Sequence, residues 1–181
     1  MTLAADIQSE LIRVTEKTLE GLISEFQDEL KNQGHVLTGR LYNSMEFKIS
    51  ASENEIIGTI FFEDYGTFVE TGVPANRIPF SGTSGRGGTS KYIQGLIRFF
   101  QLRGVAGAEA IRAAFATAQK HKREGVPTRA SSRFSKTGER TGFINRRLQS
   151  AEPRILAAFQ ETVGNAIEIR IVNVFQEAFA A

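Results

Sequence analysis

Apolar residues recur at helical spacing throughout residues 2–33. The main stripe consists of Leu3, Ile7, Leu11, Val14, Leu22, Phe26 and Leu30. Recurrence every three or four positions is typical of an amphipathic α-helix, and Gly34 stands where a glycine commonly ends one. The pattern therefore predicts a helix of about 30 residues, roughly 45 Å long at 1.5 Å per residue.

Two short stretches with strand-like patterns follow. Phe47, Ile49 and Ala51 alternate with polar residues, whereas residues 56–62 are apolar on both faces. The polar turn at residues 52–54 joins them, so the sequence predicts an antiparallel β-hairpin. Because its second strand is apolar on both faces, we expect that strand to be central in its sheet.

The residues directly after the hairpin predict one turn of helix. Tyr65, Phe68 and Val69 fall at positions i, i+3 and i+4, which would send all three side chains to the core. Before the hairpin, Thr38 is a candidate N-cap for another short helical turn. Residues 81–90 are rich in glycine and serine and predict a flexible loop.

Helical spacing returns after this loop. Residues 91–102 place Tyr92, Leu96, Phe99 and Phe100 on one face, and residues 108–123 place Ile111, Phe115 and Ala118 inward. Gly125 and Pro127 end the second helix, and residues 128–150 are expected to be extended or irregular. Pro153 fits the first turn of a last helix. A strand around Ile169 is the alternative to helix near the end.

The order of these elements predicts an α+β fold, in which a long N-terminal helix and a C-terminal helix pack on a small antiparallel β-sheet. Residues 1–80 would form the first part of the core. Residues 81–150 would form a basic insertion arm, rich in glycine, serine and arginine, with two helices. Residues 151–181 would be the C-terminal helix that completes the core.

Charge is strongly segregated along the chain, although the formal net charge is only +2. Residues 1–76 hold 5 Lys and Arg against 13 Asp and Glu, residues 77–154 hold 16 against 4, and residues 155–181 hold 1 against 3. Such asymmetry suggests a basic face for a phosphate backbone or an acidic neighbour. A well-solvated basic loop is the alternative.

The sequence supplies no constellation for catalysis or cofactor binding. Residues 82–87 have the glycine spacing of a phosphate-binding loop, but no lysine follows. His35 and His121 are far apart, and the chain has no cysteine, so a zinc site is not predicted. Glu70 is open to three readings: a structural salt bridge with Arg40 or Arg77, a solvated acid, or a catalytic acid. We expect a non-enzyme without metal or cofactor.

Three short motifs occur in a fixed order around the hairpin. Thr38-Gly39-x-Leu41-x-x-Ser44 precedes it, Tyr65-x-x-Phe68-Val69-Glu70-x-Gly72 follows it, and Pro79-Phe80 comes last. This arrangement resembles the neck, or tail-completion, proteins of long-tailed bacteriophages over about residues 1–80. Phe68 replaces a usual tyrosine, Val73 a usual threonine, and about seventy residues are inserted before the closing helix.

The resemblance implies a structural virion protein at the junction of neck and tail, made in the host cytoplasm. It would form a homo-oligomeric ring of six or twelve copies between portal or head-completion proteins and tail-tube or tail-terminator proteins, around the DNA channel and without a membrane. The alternative is a basic nucleic-acid-binding module with an acidic second half. Contacts to DNA or partners are predicted for Arg129, Arg133, Lys136, Arg140, Arg146 and Arg147.

Overall fold

A computed structural model of the protein describes residues 3–52, 55–81 and 90–179, and its architecture is α+β, as predicted. The elements in chain order are α1 (Leu3–Asn32), α2 (Arg40–Asn43), β1 (Glu46–Ala51), β2 (Ile56–Phe61), α3 (Gly66–Thr71), a 3₁₀ turn (Ala75–Arg77), α4 (Lys91–Leu102), α5 (Gly107–Glu124), a second 3₁₀ turn (Arg129–Phe134) and α6 (Phe143–Phe179). Most of the predicted flexible loop, residues 82–89, lies outside the described residues.

The chain forms two compact units. The terminal unit comprises Met1–Glu29, Arg40–Glu63 and Ile144–Ala181, and the central unit comprises Leu30–Gly39 and Asp64–Phe143. These units do not coincide with the boundaries that the sequence predicts at residues 80 and 150. The reason is that residues on both sides of position 80 share one hydrophobic core, so the predicted insertion is not a separate arm.

The terminal unit contains the β-hairpin. β1 and β2 pair antiparallel from Glu46 opposite Phe61 to Ala51 opposite Ile56. Gly58 of β2 lies directly on α1, where an added Cβ would come within 2.8 Å of Leu19 Cδ1. The described sheet has two strands, so the expectation that β2 is central is wrong, and its second apolar face, with Ile57 and Phe61, is exposed.

Helices α1, α2 and α6 and the residue before β1 supply the buried apolar residues of the terminal unit. These residues are Leu19, Leu22, Phe26, Leu41, Met45 and Ala151. Two ion pairs join α1 to α6, one between Glu29 and Arg147 and one between Glu25 and Arg154. Because the earlier residue of α1 pairs with the later residue of α6, the two helices run antiparallel along this contact.

Helix α6 begins ten residues before Pro153, so the prediction that this proline marks the first turn is wrong. The predicted irregular structure of residues 128–150 is wrong for residues 143–150 as well. A proline within a helix removes one backbone hydrogen bond, but packing of the preceding turns, including the buried Ala151, outweighs that cost. The helix continues to Phe179, so the alternative strand near its end does not form.

The central unit has a hydrophobic core of its own. Its buried residues are Ile78, Phe80, Ile93, Ala114 and Ala118. Phe80 meets Phe115 in an edge-on aromatic contact with ring centroids 6.3 Å apart. Ser90 caps α4, where its Oγ accepts a hydrogen bond from the Ile93 N–H at 3.3 Å.

The inward face of α5 is formed by alanines. Ala110, Ala114 and Ala118, spaced four residues apart, have no exposed surface, whereas Ile111, predicted to point inward, is 45% exposed. Small side chains allow two helices to approach closely, so packing against α4 selects the alanine stripe over the more hydrophobic isoleucine. Ile93, absent from the predicted face of α4, is 2% exposed.

We expect Ile93→Ala to lower the free energy of unfolding by about 2–4 kcal/mol, because it leaves a cavity in the central core. The matched variant Ile111→Ala removes the same atoms from an exposed position and should change it by less than about 1 kcal/mol. Urea denaturation followed by circular dichroism measures both values. Equal losses in the two variants would contradict this placement of the core.

Candidate functional site

The motif before the hairpin closes the base of the hairpin. Ser44 Oγ accepts a hydrogen bond from the Glu63 N–H at 3.1 Å and donates one to the Leu41 carbonyl at 3.0 Å. Leu41 is buried. Helix α2 begins directly after Gly39, which has φ +72°, and the N-cap role of Thr38 stays a prediction. The serine and leucine of this motif are thus structural residues.

The motif after the hairpin brings two distant backbone segments together. Val73 and Val126 exchange two backbone hydrogen bonds, at 2.6 and 2.8 Å. Gly72 has φ +74°, and an added Cβ would lie 2.6 Å from the Val126 carbonyl oxygen. Only glycine satisfies both the left-handed conformation and this close approach. Glycine is therefore required at position 72, because the segment that follows α5 packs directly against it.

The aromatic residues of this motif do not enter the core. Phe68 is 60% exposed and Tyr65 is 38% exposed, so their predicted inward orientation is wrong. Gly66 is buried and Val69 is half-buried. The Glu70 carbonyl accepts a hydrogen bond from the Gly142 N–H at 2.8 Å. Backbone contacts at the end of α3 therefore set its orientation and leave the aromatic rings on the surface.

The charged motif residues have mixed roles. Arg40 makes a two-pronged ion pair with Glu63, at 2.9 and 3.2 Å. Glu70 is half-buried, and its predicted salt bridge with Arg40 or Arg77 stays a prediction. In the last motif, Phe80 is buried in the central core, while Pro79 is exposed.

Arg147 is a structural residue, contrary to its predicted place on a contact surface. Its guanidinium donates two hydrogen bonds to Glu29, one of them from Nε at 3.0 Å. The side chain of Glu29 is only 4% exposed, and a buried carboxylate requires a compensating partner. The fold therefore uses this arginine to neutralise an acid of α1.

Arg140 is half-buried among backbone groups of the central unit. Its Nη1 donates a hydrogen bond to the Ser131 carbonyl at 3.4 Å, and its own carbonyl lies 3.1 Å from His35 Nε2. Burial, followed by the charge of Arg103, lowers the pKa of Arg140. Burial and then Arg140 also lower the pKa of His35.

The other predicted contact residues are exposed: Arg129, Arg133, Lys136 and Arg146. Lys136 donates its backbone N–H to the Asn32 carbonyl at 2.8 Å, which leaves its ammonium group at the surface. Arg103 is not among the contact residues predicted from the sequence. Its Cζ lies 4.4 Å from the ring centroid of Phe99, and the spacing of these residues, four positions apart at a helix end, was the available signal.

Two open grooves lie on the described surface. One groove follows α6 from Asn145 to Phe159, and another lies between α1 and the start of β1, beside Glu20 and Met45. Within residues 3–52, 55–81 and 90–179, no three His, Cys, Asp or Glu residues are grouped to hold a metal ion. No helix in this part of the chain is long and apolar enough to cross a membrane.

Comparison of the chain with protein-family models, curated proteins and solved structures found no match.

Replacing Arg147 should destabilise the fold rather than weaken a contact with a partner. Arg147→Gln removes the guanidinium that compensates Glu29, and we expect a loss of about 3 kcal/mol in the free energy of unfolding. Arg146→Gln changes the net charge equally at an exposed position and should cost less than about 1 kcal/mol. Thermal and urea unfolding of both variants test this, and similar losses would contradict a structural role for Arg147.

Stability should fall as the pH falls below about 6.5. The pKa of His35 and that of His121 are both lowered from 6.5, chiefly by burial. As the pH falls, the unfolded chain therefore binds protons at a higher pH than the folded chain does. The free energy of unfolding has its full value above pH 6.5 and decreases as the pH falls through the lowered pKa values of the folded state. Each histidine contributes at most about 1.4 kcal/mol per pH unit.

Urea unfolding between pH 7.5 and pH 5.5 measures this dependence. In the folded state, His121 Nδ1 lies 2.6 Å from the Tyr92 hydroxyl oxygen. His35→Gln and His121→Gln should each reduce the slope, and the double variant should remove most of it. An unchanged slope in the double variant would show that other groups cause the dependence.

Proposed function

We propose that this protein is a structural subunit of the neck of a long-tailed bacteriophage, where copies form a ring between the portal side and the tail tube. The observation that carries the proposal is the arrangement of the motifs around the hairpin. Ser44 fastens the base of the hairpin through Glu63, and Gly72 allows the chain after α3 to dock on residue 126. Short motifs with separate local roles, in the order seen in neck proteins, support this assignment.

Exposed apolar residues support the inference that copies of the chain associate. Phe68 is 60% exposed on α3, and Ile57 and Phe61 are each 48% exposed on the outer face of the hairpin. Leu156 on α6 is 58% exposed. Ile57 and Phe61 lie on one face of β2, and large apolar residues grouped at the surface commonly mark interaction sites. A ring subunit requires two contact surfaces, one for each neighbour.

The charges of the two units support head-to-tail contacts. The terminal unit contains 8 Lys and Arg against 15 Asp and Glu, for a net charge of −7, and the central unit contains 14 against 5, for a net charge of +9. Opposite charges favour pairing of the terminal unit of one copy with the central unit of the next. A repeated contact of this kind closes into a ring when the rotation between copies allows closure.

The purified protein should assemble into six or twelve copies of the 20.0-kDa chain, about 120 or 240 kDa. Phe68→Ser should reduce the assembled fraction at least about tenfold, because it removes an apolar contact. Mass photometry and sedimentation velocity over a range of concentrations measure this. Ile111→Ser, at a similarly exposed position outside the motifs, is the control and should still assemble.

The genomic DNA around the gene provides an independent check on the same proposal. Flanking genes for a portal, a major capsid protein and a tail tube would support it. A monomer at every concentration, together with flanking genes of metabolism or regulation, would overturn it.

A second candidate function is sequence-independent nucleic-acid binding, which the +9 charge of the central unit favours. Deleting residues 128–150 does not test it cleanly, because this range includes the buried Phe143 and the first turns of α6. Point substitutions at exposed cations are the suitable test.

A further inference from the structure

Arginines of the central unit gather around one exposed aromatic ring. Arg103 Cζ lies 5.7 Å from the ring centroid of Phe134, and Arg133 Cζ lies 4.8 Å from the same centroid. Phe134 is 49% exposed. Arg140 is near enough to Arg103 for the charge of Arg103 to lower its pKa. We call Arg103, Arg133, Arg140 and Phe134 the arginine cluster.

The end of α1 and the loop after it contact the segment that contains Phe134 and Arg140. An added Cβ on Gly34 would collide with the Phe134 carbonyl oxygen. The Gln33 side-chain amide donates to the Thr141 carbonyl at 3.1 Å, and His35 contacts the Arg140 carbonyl. Residues 134–141 are thus attached at several points, so the cluster is built on a fixed backbone rather than on a loose basic tail.

The positive charges of the cluster have no acidic partner in the described structure. None of the ion pairs among the described residues involves Arg103, Arg133 or Arg140. Glu29, Glu25 and Glu63, by contrast, each pair with an arginine of the terminal unit. Like charges brought together repel one another, and a bound polyanion would relieve that repulsion.

Contact with an aromatic ring leaves the hydrogen-bond donors of an arginine available. A guanidinium whose face lies on an aromatic ring still presents its N–H groups at its edge, where they match two oxygens of a phosphate. Arg103 is the residue that ends α4, and its Cζ lies over the ring of Phe99 at 4.4 Å and over that of Phe134 at 5.7 Å. The rings therefore fix the direction of the guanidinium and reduce the entropy lost on binding.

We propose that the arginine cluster is a binding site for the phosphodiester backbone of a nucleic acid. The site deepens the second candidate function, on which it rests, and does not depend on ring formation. Arg129 and Lys136, on the same stretch of chain, are also exposed cations. Because guanidiniums bound to phosphates read no base edges, binding is independent of sequence.

The test uses the full-length protein and fluorescence anisotropy with two labelled probes of random sequence, a 30-base-pair DNA duplex and a 30-nucleotide single strand. The double variant Arg103→Gln/Arg133→Gln should weaken binding at least about tenfold, because it removes two guanidiniums that donate charge-assisted hydrogen bonds to phosphate oxygens. It should also lower the slope of log K against log salt by about 1.8 for the duplex or about 1.4 for the single strand.

The control is Arg98→Gln/Arg112→Gln, which removes the same charge from exposed positions on α4 and α5. It should bind within about threefold of the parent protein. Phe134→Leu keeps an apolar side chain but removes the aromatic face, and should weaken binding severalfold without lowering the unfolding temperature by more than a few degrees. Circular dichroism verifies that all variants are folded.

Three results would overturn the site. One is the absence of binding to either probe at 50 mM salt. Another is an equal loss of affinity in the two double variants, which would indicate diffuse charge. The last is displacement of the DNA by polyglutamate at an equal concentration of negative charges, which would point to an acidic protein surface. The oligomeric state is measured in the same samples. It tests the proposed ring separately, so a loss of DNA binding contradicts the binding site and not the ring.

Discussion

The close approach of two backbone segments at Val73 and Val126 is the constraint on which the central unit depends. Two hydrogen bonds join these residues, and glycines with positive φ, Gly72 and Gly125, precede both of them. An added Cβ on either glycine would lie 2.6 Å from a carbonyl oxygen of the opposite segment. This junction fixes the end of α5 beside the chain that leads to Ile78 and Phe80, so the core forms from residues that are far apart in sequence.

The arginines of this protein serve two different physical purposes. In the terminal unit, Arg147 and Arg154 neutralise acids of α1, one of which is nearly inaccessible to solvent. In the central unit, Arg103 and Arg133 lie on aromatic rings without carboxylate partners among the described residues. The first pattern stabilises a helix pair, whereas the second is the basis of the proposed phosphate-binding site. Sequence position alone does not distinguish these purposes, because Arg146 and Arg147 are neighbours with different surroundings.

The segregation of charge along the sequence becomes a segregation between compact units. The negative charge belongs mainly to α1 and the hairpin region, and the positive charge to α4, α5 and the chain up to α6. A protein with oppositely charged units and several exposed aromatic residues is suited to assembly with copies of itself. The same positive unit carries the arginine cluster, so the proposed head-to-tail contact and the proposed phosphate binding both draw on electrostatic attraction, which salt weakens.

The sequence by itself determined most of the secondary elements, because periodicity and glycine positions are local signals; the start of α6 is an exception. Helices α1, α4 and α5, the hairpin and the glycine ends at Gly34 and Gly125 follow the predicted pattern closely. The periodicity also predicted the buried Leu22, Phe26 and Leu30 of α1, whereas the tertiary structure decided which sides of α3 and α5 are buried. On α5 the alanines are buried and Ile111 is exposed, because close helix packing favours small side chains. On α3 the ring of Phe68 is exposed, because backbone contacts fix the end of this helix. The pairing of Arg147 with Glu29 and the grouping of Arg103 with Phe134 join residues that lie between 31 and 118 positions apart. Such contacts leave no periodic trace in the sequence, since they depend on how the elements pack.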